Sequence, residues 1–499
     1  MKLLVIGIDG GTKKIVEGML MPFTQSLIKD ASSIELKEDL ISRGWAETLT
    51  GHHAATNKGF YLMPCSDKSY DFSGAYSKSD MLTASKNKPL WDMLNDKGCS
   101  VGIVNVPTTG PADKVNGFIV AGGGGGIKAT GGIPDGMVYP QELKKELADN
   151  NYVFDVRLPG GEKTVSGFLK KIGEAENIQK NTFIEFSKKL KPDFGFHCFR
   201  ITTEVQYLAR FEIEKCIEKI AESEKAGKKF KPESTVQESI VEHYKKLDEN
   251  IKEIFAELKP EHFILVSDHS TAIFKNEGNL DVWLNKKGYL SKLTDFEVFV
   301  KRVNGLMSRK LNKIRNIKPV VKASLIRRPI TRFSKKRTKA FGTFYDTGNF
   351  AGIFINDQLR FDGPVKDEKE VNVLVEKICS EFNSDPVARH YSLDAKPYRQ
   401  LYKNDQFQSL MPDIKIHKPD SIYFSSRKWD FVIDNPNLKP MNENITGIKY
   451  PHTGAKGSDP LFFFSKGLEK FVEQEDPSDL RIFYNIISRF FDHQKSDLT

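Results

Sequence analysis

The sequence predicts an α/β protein: a mostly parallel sheet with helices on both faces. Three observations carry this. Short apolar runs alternate with helical patterns along most of the chain, the order expected of a sheet built from β-α-β units. Two of those runs, LLVIGI at 3–8 and FILV at 263–266, are continuously apolar, as strands covered on both faces are. Both end in a short polar tip that carries a carboxylate, Asp9 after the first and Asp268, with His269, after the second.

The elements follow in order. Leu3–Ile8 is the first strand, and 16–30 has a helical pattern. A helical 89–97 precedes a strand at Val101–Val106, and Phe118–Val120 is the next. Segment 141–190 is helix-rich and polar, and Asp193–Cys198 is strand-like. ESEKAGKKFKPE at 222–233 reads as an exposed linker. In 234–258, Ile240, Tyr244, Leu247, Ile251, Ile254 and Phe255 share one face of a long helix. It leads into Phe263–Val266. After a basic insertion at 290–340, strands return at Ala351–Asn356 and Ser421–Phe424, and 476–491 is a C-terminal helix. No internal repeat is visible.

Composition narrows the class. With 499 residues, 39% hydrophobic and 28% charged, the chain suits a large globular core. No run approaches the ~20 apolar residues of a membrane span, and the MKLLVIGIDGG start is too short an apolar stretch for a signal peptide. The expectation is a cytoplasmic protein. Five cysteines (Cys65, Cys99, Cys198, Cys216, Cys379) without a CxxC pair argue against a disulfide framework or a cysteine zinc site. The net charge of +9 is local: residues 301–340 hold 15 Lys or Arg and no Asp or Glu, so the rest sums to 9 − 15 = −6. The block reads as a solvated basic helix or hairpin, or as a contact for an anionic surface. Phe333 is its only aromatic, too few for base stacking, and the chain shows no specific nucleic-acid motif.

Ligands of open α/β sheets bind beyond the carboxyl ends of the strands. If both apolar strands lie in one sheet, Asp9, Asp268 and His269 converge there as an O/O/N set for a divalent metal. The plainer reading of Asp9 is a turn or helix-capping aspartate. Gly122–Gly126 follows a strand but lacks both the GxGxxG and the Walker pattern. It is read as a loop near the site rather than a phosphate cradle.

Taken in order, the motifs resemble one family. GIDGG at 7–11, RGWAETLTG at 43–51, PLWDMLNDKGCSVGIVNVPTTGP at 89–111 followed by VNGFIVAGG, HYKKLDENI at 243–251, VSDHS, NLDVWLNKKGYL at 279–290, KRTKAFGTFYDTGNFAGIFIND at 336–357 and MPDIKI at 411–416 run in the sequence order of the type I phosphodiesterase/nucleotide pyrophosphatase branch of the alkaline phosphatase superfamily. The resemblance implies a doubly wound α/β core, formed by 1–290 and 340–499 with helical cap elements around 141–190, and a basic insertion at 291–339. It also implies a metal-dependent hydrolase of phosphoric esters, with a phosphodiester or nucleotide pyrophosphate as substrate, a nucleophile held at the metal, and one or two zinc or manganese ions.

Residue by residue, the resemblance gives Asp9, Asp268 and His269 to the first metal. The second takes an Asp and a His from a segment aligned with ITTEVQYLARF, 201–211, and a late His matched to His452. Thr203 and Tyr207 stand at the Asp and His positions, so two of three ligands for a second metal are replaced, and both residues become candidates for substrate contact. Aligned on Trp45, the nucleophile position falls on Ile41; Ser42, one residue away, is the candidate nucleophile, and equally a loop or capping serine. Thr48 and Thr50 match non-catalytic positions. Trp45 is expected to offer an apolar face to a base or leaving group. A catalytically degenerate member that binds a phosphorylated ligand or partner without turnover is the alternative. A third reading, an actin-like sugar kinase, rests on GIDGGTKK at 7–14; residues 14–20 read as the start of a helix instead of the required hairpin strand, and VSDHS is left unexplained.

Overall fold

The computed structural model describes residues 1–61, 63–64, 66–68, 72–73, 78, 81, 88–122, 133–157, 161–294, 333–342, 350–425, 430–448, 452–473 and 478–496. Gly123–Gly126, Cys65 and 301–332 of the basic block lie outside these. The chain divides into two compact units, one of Met1–Phe60, Tyr76–Lys275 and Asn435–Thr499, the other of Tyr61–Ala75 and Asn276–Asp434.

The first unit is built on an eight-stranded sheet. Its strands in chain order are β1 (Leu3–Ile8), β2 (Ser32–Ser33), β3 (Val101–Val104), β4 (Gly117–Val120), β5 (Val138–Tyr139), β6 (Phe194–Phe199), β7 (His262–Val266), then, after the two-stranded ribbon strands β8 (Ser270–Ile273) and β9 (Gly454–Gly457), β10 (Phe462–Phe464). The order across the sheet is β2-β10-β7-β1-β6-β3-β4-β5. The five central strands are parallel, and antiparallel strands flank them. In β1 the side chains alternate between two cores, Leu4, Ile6 and Ile8 in one and Leu3 and Val5 in the other, the period of two that a doubly covered strand requires.

Helices cover both faces. One core takes α1 (Lys13–Gly18), α2 (Pro22–Lys29) and the long α7 (Val165–Leu190), α8 (Thr202–Lys225) and α9 (Thr235–Leu258). The other takes α3 (Gly44–Thr50), α5 (Leu90–Asp96) and α10 (Ile482–Ser496); two short helices, α4 (Ala54–Asn57) and α6 (Leu143–Asp149), complete the set named here. The predicted helix 16–30 is two helices, because Pro22 opens the second one; proline lacks the N–H that a continuing helix would use. The expected linker 222–233 is helical as far as Lys225. Ser234 caps α9 by accepting from the Gln237 N–H.

The second unit holds a three-stranded sheet, Ile422–Phe424, Asn276–Gly278 and Val432–Asp434, and a four-stranded one, Ala340–Gly342, Gly352–Ile355, Ile414–His417 and Asp394–Pro397. Beside the four-stranded sheet, buried Asp413 is the centre of a polar core: it accepts from the Ile355 N–H and from Arg360 at 2.6 Å, and from Arg399 at 2.7 Å. No described helix is long and apolar enough to cross a membrane.

Candidate metal centre

Three adjacent parallel strands, β7, β1 and β6, end at the same edge. Gly7 is level with Val266 and Ile8 with Phe199, so Asp9, Ser267–Asp268–His269 and Arg200–Thr203 emerge side by side. This is where ligands of such sheets bind. Asp9, Asp268 and His269 are buried, and their ligand atoms all lie within 4.8 Å of one another. His269 Nε2 is 3.4 Å from Asp268 Oδ2 and 3.8 Å from Asp9 Oδ1. Among the described residues this is the one group of three or more His, Cys, Asp or Glu with such spacing.

Each ligand is held by its far side. The Trp45 indole N–H donates to Asp9 Oδ2 at 3.0 Å, and the Gly10 N–H donates to Asp268 Oδ1 at 3.3 Å. His269 Nδ1 lies 2.7 Å from the Ser270 carbonyl, which only accepts, so Nδ1 carries the proton and Nε2 is left with its lone pair. That leaves one oxygen of each carboxylate and a basic nitrogen turned to a common point. Protein groups that orient ligands in this way are the usual support of a metal site.

The electrostatics agree. Burial, and then the neighbouring Asp268, push the Asp9 carboxyl above its usual range, and burial raises Asp268 as well. Burial, and then Lys456, push His269 down to about 3, so the imidazole is neutral at pH 7. Two carboxylates facing a neutral nitrogen form an O/O/N set that fits a divalent cation such as zinc or manganese.

Two close approaches set the geometry. A Cβ on Gly44 would sit 2.2 Å from the Asp268 carbonyl oxygen, and one on Gly7 would sit 2.9 Å from the Trp45 ring. Only glycine lets α3 lie against the end of β7 and its Trp45 against β1. Trp45 is thus an anchor for Asp9, buried against Phe196, rather than an open face for a leaving group.

The other expected residues fall as follows. Ser42 is two residues ahead of Gly44, is buried, and its Oγ accepts from the Ala54 N–H at 2.8 Å, at the start of α4. Thr203, in the first turn of α8, lies beside Gly10: a Cβ there would be 3.0 Å from Thr203 Oγ1. Tyr207, one turn on, has its hydroxyl 3.4 Å from His269 Nε2. His452 is not a member of the three-residue group. Its backbone N–H donates to the Tyr207 carbonyl, and the charge that bears on its ring is Lys439, not either aspartate. Outside that set, His197 on β6 stacks on Phe183 in the core, and Glu204 on α8 pairs with Arg200.

The residue that faces the carboxylates from that part of the chain is Lys456, four positions after His452. It sits on β9, opposite Thr271 of β8. It is buried, and burial draws its ammonium down to about 8 against the opposing pull of Asp268 and Asp9. The signal was present in GAKG at 454–457, a lysine flanked by small residues in a wholly buried strand.

Residues 3–427 match the sequence profile of the type I phosphodiesterase/nucleotide pyrophosphatase family. The chain belongs to this family. Its enzymes are hydrolases of phosphoric esters, and this member keeps their α/β core. Among solved structures, phosphonoacetate hydrolase from Sinorhizobium meliloti 1021, in complex with phosphonoformate, is similar at 9% identity and a TM-score of 0.51, over 98% of this chain and 95% of that one. Human ectonucleotide pyrophosphatase/phosphodiesterase 5 gives 11% identity and a TM-score of 0.45, over 99% and 95%. The murine protein, as an inactive variant in complex with AMP, gives 12% and 0.41, over 93% and 87%. No curated protein matches the chain.

Proposed function

We propose that this phosphodiesterase-family member is a metal-dependent hydrolase of a phosphodiester or nucleotide pyrophosphate, with one zinc or manganese ion on Asp9, Asp268 and His269. The observation that carries it is the convergence of one oxygen from each of two carboxylates and an imidazole nitrogen within 4.8 Å of one another, each residue fixed from behind. Asp9, Asp268 and His269 would hold the ion, which would supply Lewis-acid polarisation of the phosphoryl group and a lower pKa for the attacking group. Ser42 is the nucleophile in this reading. The Ala54 N–H fixes its rotamer, and it lies two residues ahead of Gly44, whose backbone meets Asp268. Small phosphorylated molecules are the substrate class in this reading; the phosphonoformate bound by the phosphonoacetate hydrolase is of the same kind.

Asp268→Asn should abolish manganese-dependent hydrolysis of bis(p-nitrophenyl) phosphate, and Ser42→Ala should lower it about 10³-fold or more, as loss of a nucleophile does. Turnover that survives Asp268→Asn contradicts the metal assignment. A second reading, ligand binding without turnover, is favoured by one observation: Ser42 Oγ already serves the α4 terminus as an acceptor. Nucleotide binding with no product over a long incubation would select it.

A further inference from the structure

The replacements at Thr203 and Tyr207 leave a question of charge. Phosphoryl transfer builds negative charge on the equatorial oxygens, and a donor set must be in place to meet it. With the ligand positions for a second metal occupied by two hydroxyls, the charge must come from a side chain.

Geometry singles out Lys456. In an antiparallel pair, directly opposed residues project from the same face. Thr271, opposite Lys456, turns its side chain to the loop after β1: its Oγ1 is 3.2 Å from Thr12 Oγ1 and it also bonds Gln206 of α8. Its methyl is 3.2 Å from where a Gly10 Cβ would be. Lys456 therefore leaves the ribbon on the face that looks onto Asp9 and Gly10. The ribbon is fixed there, since a Cβ on Gly454 would sit 2.2 Å from the Gln206 carbonyl of α8.

The N-terminus of α8 meets the same place. The Thr202 hydroxyl donates to the Asp9 carbonyl at 2.9 Å, which ties the first turn of this 24-residue helix to the site. Amides of a first helical turn have no acceptor within the helix, and they favour anions. Thr203 supplies the independent sign of a ligand. It is 3% exposed, and its Oγ1 is buried with no hydrogen-bond partner among the described residues. A buried hydroxyl left unsatisfied is costly, and this one lies beside Gly10.

We propose that Lys456 and Thr203 form an oxyanion cradle at the N-terminus of α8 that binds the phosphoryl oxygens of the substrate beside the metal. An ammonium thus supplies the charge that a second ion supplies in a two-metal site. Tyr207, one helical turn after Thr203, adds a hydroxyl at the boundary between cradle and metal. The proposal rests on the reading of Asp9, Asp268 and His269 as a one-metal phosphoesterase site.

The test is calorimetric titration of the full chain with inorganic phosphate and, separately, with manganese, for the wild type, Lys456→Met, Thr203→Val and Thr203→Ser. Lys456→Met should weaken phosphate binding to the manganese-loaded protein about tenfold or more, the loss of one charge-assisted bond. It should leave manganese affinity undiminished, and lower kcat for bis(p-nitrophenyl) phosphate about 100-fold. Thr203→Val, nearly the same shape, should weaken phosphate about three- to tenfold, and Thr203→Ser should restore it. Unchanged phosphate affinity in both Lys456→Met and Thr203→Val overturns the cradle. So does a Lys456→Met protein that loses manganese and phosphate together, since that marks a structural role. If the wild type proves inactive but phosphate binding falls in both variants, the catalytic reading fails and the cradle stands.

Discussion

At the residue scale, each residue of the candidate metal centre is one half of a pair. Asp9 depends on Trp45, Asp268 on the Gly10 amide, and His269 on the Ser270 carbonyl. Trp45→Phe keeps the ring and removes the N–H. Metal affinity should fall about 10- to 100-fold, the usual effect of deleting a group that orients a ligand, while the melting temperature changes little. Equal metal affinity in the variant would show that the indole only packs. Asp9, Asp268 and His269 were legible in the sequence because each follows an apolar run that has to be a buried strand. Lys456 was not, because its meaning comes from a ribbon pairing across nearly two hundred positions. His452 was matched through the family resemblance, and the fold joins its backbone N–H to the Tyr207 carbonyl.

At the element scale, α3 is the piece that completes the site, and its packing is unforgiving. Gly44→Ala should cost about 1–3 kcal/mol, as forced overpacking does. It should weaken metal binding as well, because the nearest atom is the backbone of Asp268; denaturant unfolding and a metal titration read the two effects. The same helix carries Glu47, buried with Glu38 of the preceding loop, whose carboxylate accepts from the Leu480 N–H before α10. Burial pushes Glu38 up to about 8, against a hydrogen bond from Glu47 that lowers it, and burial and then the neighbouring Glu38 push Glu47 well above its ordinary value. The folded chain therefore holds protons that the unfolded chain, with carboxyls near 4.5, releases. The stability they contribute is full below that value and is lost as pH rises toward 8, by up to about 1.4 kcal/mol per pH unit for each group. Thermal unfolding from pH 5 to pH 8.5 should show this decline, and Glu38→Gln should flatten it; parallel curves would exclude the pair as its source. Strand and helix order was readable because the apolar periods are strong. The break at Pro22 and the extension of α8 to Lys225 were local details that a periodic pattern averages away.

At the scale of the whole molecule, the sheet unit has cores on both faces, and the second unit combines buried aromatics such as Phe341, Phe354 and Phe361 with a buried ion network around Asp413, Arg360 and Arg399. Asp413→Ala strips partners from two guanidinium groups and the Ile355 amide and should destabilise by about 3–5 kcal/mol; a shift below 1 kcal/mol in urea unfolding would contradict that role. The ordered motifs carried the family because they are spread over nearly the whole chain, and the profile match over residues 3–427 has the same breadth. The substrate was not legible, since binding specificity comes from shape around the site rather than from its ligands. The most direct measurement is manganese-dependent hydrolysis of bis(p-nitrophenyl) phosphate by the wild type beside Asp268→Asn. Turnover that needs the metal and vanishes in the variant is the predicted result. Equal rates in the two proteins would contradict a metal centre at Asp9, Asp268 and His269.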